Sequence, residues 1–170
     1  MSPAPATART EWSRQLARAL TTGGYLTEDG VAPLLAQAAE SGVPLGALLV
    51  GRGLVPAPVV VTTLAQLARL PAIDLQTDVP SPDVAALLPP VAARDHQAVP
   101  VRVVGTQAVI AFAEPPDPAE VRAIGEQIGF EVVPVLGDPV AIERMLAAGN
   151  GRPPGADGTA APGSPPVGTA

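Results

Sequence analysis

Apolar positions in residues 11–70 recur at helical spacing, and they do so twice. Residues 16–37, LARALTTGGYLTEDGVAPLLAQ, lie over residues 45–66, LGALLVGRGLVPAPVVVTTLAQ, without a gap. Leu16 falls on Leu45, Leu20 on Leu49, Gly24 on Gly53, Leu26 on Val55, Val31 on Val60 and Leu35-Ala36-Gln37 on Leu64-Ala65-Gln66, each pair 29 residues apart. Each copy predicts a short apolar helix ended by a Gly, where a positive φ costs least. An apolar residue then turns into the core, and a start signal follows, Thr27 in one copy and Pro56 in the other. A longer amphipathic helix comes next, with Val31, Leu34 and Leu35, or Val60, Leu64 and Leu67, on one face. Residues 11–70 therefore predict four helices in two helix-turn-helix units. Val59-Val60-Val61-Thr62-Thr63 is β-branched throughout and favours strand on propensity alone. The repeat register favours helix, and packing overrides so weak a preference.

The pattern changes in residues 81–148. Ser81-Pro82 predicts a short helix to Leu88, and Pro89-Pro90 breaks it and opens another turn through Arg94. Val99–Val104 and Ala108–Ala113 read as strands around Gly105-Thr106, a hairpin signal. Asp117-Pro118-Ala119-Glu120 has the form of a capping box, and its helix ends at Gly129. Glu131–Leu136 reads as a third strand, and Asp138-Pro139 caps a last helix carrying Val140, Ile142, Met145 and Leu146. The fold class is α+β: a four-helix repeat unit, then a small three-stranded sheet covered by helices. Residues 71–80 read as a linker, with Pro71 and Pro80 marking a candidate hinge. Residues 1–10 and the Gly/Pro-rich stretch 149–170 read as disordered ends, too poor in apolar residues to offset the entropy of ordering.

Composition narrows the chemistry. The formal charge is −6, the ten basic residues are all Arg, and they are scattered singly. That argues against nucleic acid, which needs clustered cations to displace counterions. There is no Cys, hence no disulfide and no thiolate metal site. No basic, then apolar leader opens the chain and no apolar run is long enough for a bilayer, so no membrane insertion is expected and the expected place is the bacterial cytoplasm.

The order of these parts resembles the N-terminal domain of the type II secretion and type IV pilus assembly ATPases. The segments LGALLVGRGLV, LARLPAIDL, LLPPVAARDHQAVPV, AVIAFAEPPDPAEVRAI and GFEVVPVLGDPVAIERML carry the likeness in sequence, over about residues 14–147. The resemblance implies a domain that precedes a RecA-like motor and docks it on the inner-membrane platform. In the MshEN branch it also implies binding of cyclic di-GMP. The expected role is a non-enzymatic adaptor or regulator whose partner is a secretion or pilus platform protein or a motor ATPase, peripheral at the inner membrane through that partner. No motor signature is present: a phosphate-binding loop needs GxxxxGK[ST], and this chain has no Lys. No cofactor, metal or catalytic residue is expected.

The alternative is a cyclic di-GMP sensor built from the repeats. The MshEN motif runs Arg-Leu-Gly, two aliphatics, Gly, two aliphatics, spaced Leu and a final Gln. Leu16, Leu20, Gly24, Leu26, Val31 and Leu35 fit it in the first copy. Leu45, Gly46, Leu49, Val50, Gly53, Leu54, Val55, Val60 and Leu64 fit it in the second. The departures are Gln15 and Pro44 for the leading Arg, Ala17 for the first copy's early Gly, and Gln37 and Gln66 one residue ahead of the motif's Gln, which the motif puts at Ala38 and Leu67. A shift of one residue turns a helical side chain by about 100°. Helix packing alone would also demand aliphatics at these spacings. His96, the single His, reads as a surface or capping group, and of the acidic cluster Glu114, Asp117 and Glu120, capping explains two members. Glu28-Asp29 suits the dipole of a first helical turn.

Overall fold

The computed structural model describes the backbone of residues 5–149 and the side chains from Arg9 onward. The repeat forms four helices: α1 (Pro5–Thr22), α2 (Glu28–Ser41), α3 (Leu45–Gly51) and α4 (Ala57–Ala68). The register is kept down to single hydrogen bonds. Tyr25 N–H bonds the Leu20 carbonyl and Leu54 N–H the Leu49 carbonyl, both at 2.9 Å, while Gly24 reaches Thr21 at 3.1 Å and Gly53 reaches Val50 at 3.0 Å. These are the two bonds of a Schellman cap, made twice. Gly24 has φ +80° and Gly53 φ +67°, and a Cβ at either would meet nothing within 4 Å, so the requirement there is conformational and not spatial. Thr27 caps α2 by accepting from Gly30 N–H.

Val59–Thr63 is helical, as the register requires. Val60 and Val61 are buried, and the Thr63 hydroxyl donates to the Val59 carbonyl at 2.7 Å, so burial and back-bonding hold β-branched residues in a helix. The chain start differs from expectation. Residues 5–10, read from composition as part of a disordered end, form the first turns of α1, with Pro5 at the tolerant first position. Arg9 anchors this stretch by donating to the Asp95 carbonyl across the molecule. Residues 1–4 and the Gly/Pro-rich stretch from Asn150 lie outside the described residues.

The second half holds α5 (Pro82–Ala85), α6 (Pro90–His96), β1 (Ala98–Val104), β2 (Gln107–Phe112), α7 (Pro118–Ile128), β3 (Glu131–Leu136) and α8 (Pro139–Ala147). β2 is central, antiparallel to β1 through the Gly105-Thr106 turn and parallel to β3 through α7. A bulge between Pro100 and Arg102 bends the edge strand β1. The expected capping box on α7 is complete, and Asp138 caps α8. The helix expected to run to Leu88 is one turn, and Ser81 makes no side-chain cap.

Residues 71–80 are held and do not form a loose hinge. Ile73 N–H bonds the Leu136 carbonyl at 2.8 Å, Leu136 N–H bonds the Pro71 carbonyl at 2.9 Å, and Leu75 is buried. One continuous core joins the halves, running from Leu16, Leu20, Leu45 and Leu49 to Ile110, Phe112, Leu136 and Ile142. No single helix among the described residues is long and apolar enough to cross a membrane.

The duplicated turns make a direct prediction. Gly24→Ala and Gly53→Ala each lower unfolding free energy by about 1–2 kcal/mol, the cost of a Cβ in left-handed backbone, although neither adds a clash. Urea denaturation of both variants checks it, and equal losses at the two sites are expected from the equal geometry.

Candidate functional site

A groove of about 500 Å³ opens between the first half of α1, the outer face of α2 and the α2–α3 turn. That is the size of a small-ligand site. Its walls are Arg9, Thr10, Ser13 and Arg14 on one side, and Ala32, Leu35, Ala36, Ala38 and Ala39 on the other. Gly42, Val43 and Pro44 close one end, and Glu114 supplies an acid from the sheet half. The small side chains of α2 leave an apolar wall with no charge. Ser13 and Arg14 are the repeat counterparts of Gly42 and Val43, so the groove lies where both copies begin.

Glu114 follows directly on the buried run Ala108–Ala113, which carries its carboxyl into the interface with α1. It is only 9% exposed, and its Oε2 is buried without a hydrogen-bond partner. Burial pushes its pKa up from 4.5 to about 7; the Arg9 charge and a hydrogen bond from Ser13 pull it back, and Glu120 raises it further. No ion pair joins Arg9 to it; one Arg9 N–H goes to the Asp95 carbonyl.

The other acidic candidates have local duties. Asp117 caps α7 and accepts from Ala119 N–H at 2.8 Å, and Glu120 returns an oxygen to Asp117 N–H at 3.3 Å. The other Glu120 oxygen accepts from His96 Nδ1 at 2.6 Å, which ties α6 to α7. Glu28 and Asp29 are exposed in the first turn of α2. Among the described residues no group of three or more His, Asp or Glu is placed to hold a metal.

The motif residues divide by burial. Leu16, Leu20, Leu45, Gly46, Leu49, Val55, Val60 and Leu64 are core. Gly24, Gly53 and Leu54 are exposed at the two turns, and Leu26, Val31, Leu35 and Val50 are half-buried. Of all these only Leu35 lines the groove. Pro44, in the place of the motif's second leading Arg, lines it too, and Arg14 stands one residue before Gln15, which holds the first. Arg9, Ser13 and Arg14 precede the repeat, so its spacing does not point to them. Glu114 is one of three clustered acids in the sequence. Its distinguishing signal was an ionisable residue directly after a six-residue apolar run.

The MshEN domain profile matches residues 68–153. The chain belongs to the MshEN domain family. The match spans the α+β half, with the Leu-Pro junction before it, and not the repeats. Solved structures extend the likeness to the helical half. MshE, solved with cdg, is 26% identical over 78% of this chain and 96% of its own, with a TM-score of 0.55. The N-terminal domain of XpsE shares the fold at 22% identity, 86% and 97% coverage and a TM-score of 0.58. No curated protein sequence matches. This MshEN chain thus shares its fold with the N-terminal domain of XpsE.

The buried acid predicts a pH effect on folding. A carboxyl raised from 4.5 to about 7 contributes stability that is full below its unfolded value and is lost as pH rises through the folded one. Between pH 5 and 8, wild type should lose about 2 kcal/mol that Glu114→Gln does not lose. Urea titrations of both proteins at the two pH values measure the difference.

Proposed function

We propose that this chain is a non-catalytic regulatory module of a secretion or pilus machine, and that its input is cyclic di-GMP bound in the α1–α2 groove. The observation that carries the reading is the unpartnered Glu114 Oε2 at a groove that also presents Arg9 and Arg14. A guanine edge offers adjacent N–H donors, which a carboxylate accepts in pairs. Arginine binds phosphate through charge-assisted hydrogen bonds. The alanine wall of α2 leaves room for a flat base. MshE, of the same fold, was solved with cdg, which supports this ligand class. The motif's leading arginines are replaced at Gln15 and Pro44, and Arg14 and Arg9 offer guanidinium groups at the same end of the repeat.

Calorimetric titration at pH 8 tests the reading. Saturable binding in the micromolar range or tighter is expected. Glu114→Ala should weaken it about tenfold or more, because a guanine edge then loses its charged acceptor. Leu35→Asp, on the opposite wall, should weaken it as well. Absence of heat at high protein concentration removes cyclic di-GMP from the account.

A protein-docking role rests on a separate observation. Tyr25 and Leu54 are equivalent in the repeat, and each leaves nearly half its surface exposed, at 49% and 47%, at the tip of its turn. Large apolar groups kept in water at matched positions suit contact with a platform protein or motor ATPase. The double variant Tyr25→Ser/Leu54→Ser should keep its fold and lose recovery of such a partner in a pull-down; undiminished recovery would count against these turns as the contact.

A further inference from the structure

Glu114 is faced by charge from α1 and α7 and by none from α2. Arg9 and Arg14 reach the groove from α1, α2 presents only alanines and Leu35, and Glu120 stands on α7 with His96 of α6 bonded to its far oxygen. The Arg9 charge lowers the carboxyl's pKa without an ion pair to it, while one Arg9 N–H goes to the Asp95 carbonyl. Ser13 is the hydrogen-bond donor that serves it, and the second oxygen is buried with none. A negative charge in that position has too few donors to hold it. The carboxyl therefore keeps its proton in the empty groove below about pH 7 and shares it evenly with solvent at that pH.

We propose that ligand capture in this groove is coupled to release of the Glu114 proton. The inference rests on the groove reading above and adds its regulation. In the empty site below about pH 7 the carboxyl is neutral. When a base edge brings its N–H donors to the carboxyl, the O–H bond breaks, the proton leaves to solvent buffer, and both oxygens accept. The bound donors supply what burial had withheld from the anion. The groove then senses pH together with its ligand: affinity falls as pH drops below about 7, because the proton must first be removed.

The test is calorimetry of the full chain with cyclic di-GMP at pH 6 and pH 8, in buffers of different ionisation enthalpy. The expected result is roughly tenfold tighter binding at pH 8 than at pH 6, with close to one proton released per ligand at pH 6. Glu114→Gln should bind with equal affinity at both pH values and release none. Ligand-independent carboxyl NMR of the empty protein should show Glu114 titrating near pH 7. Equal wild-type affinities at the two pH values, with no buffer dependence, overturn the proton linkage and leave the site standing. Binding at neither pH overturns the site itself and the linkage with it. A carboxyl midpoint near the ordinary value of 4.5 overturns the linkage whatever the ligand does.

Discussion

Where α3 crosses α4 and the start of α8 there is no room for a methyl group. A Cβ on Gly46 would lie 2.8 Å from Val60 Cγ1, 3.5 Å from Pro139 Cγ and 3.8 Å from Leu16 Cδ2. These contacts bring four helices from both halves to one point. They explain why Leu16, Leu45, Leu49 and Val60 are buried at once, and why one core runs from the repeats into the sheet. Farther along α1, Ser13 meets Glu114 just past β2. Ser13 lies one turn before Leu16 on that helix, and both are buried.

The repeat is close to symmetric where it turns and asymmetric where it begins. Both turns make the same bonds, yet α1 extends eleven residues before Leu16, while Leu45 is the first residue of α3. The extra length carries Arg9, Ser13 and Arg14. In the second copy the corresponding stretch is the end of α2 and the Gly42-Val43-Pro44 turn, which closes the groove with small apolar groups. Gene-level duplication would supply two equivalent surfaces. The long first helix and the sheet half make them unequal, and only one acquires a buried acid.

The parts governed by local chemistry were legible in the sequence. The Schellman glycines, the Asp117–Glu120 capping box and the two-residue hairpin are short-range arrangements, and each has a residue signature. The repeat register outranked one local warning, the β-branched run Val59–Thr63, because it reports packing and the run reports propensity. The legible motif proved to describe mostly core: spacing finds a helix face and does not tell which face meets solvent. The groove was hidden because it is non-local. Arg9 bonds a carbonyl 86 positions away, and Glu114 meets Ser13 from the bend after β2, which periodicity cannot place against α1.

Glu114 does little for the fold that a neutral residue would not do better. Its ionised form is disfavoured by burial, one oxygen goes unmatched, and the neighbouring acids already cap α7 and bind His96 without it. A glutamine of the same shape would keep the Ser13 contact and carry no ionisation penalty. Buried polar groups left partly satisfied are costly, and they concentrate at sites whose partner is outside the chain. The groove supplies the remaining elements of such a site: volume for a small ligand, an uncharged wall, and two guanidinium groups at its rim on a protein of net charge −6. Long-range attraction of an anion to this surface is therefore weak. Affinity must come from close contacts made after water leaves, and the carboxyl is the contact that distinguishes a base with N–H donors from any other flat ring.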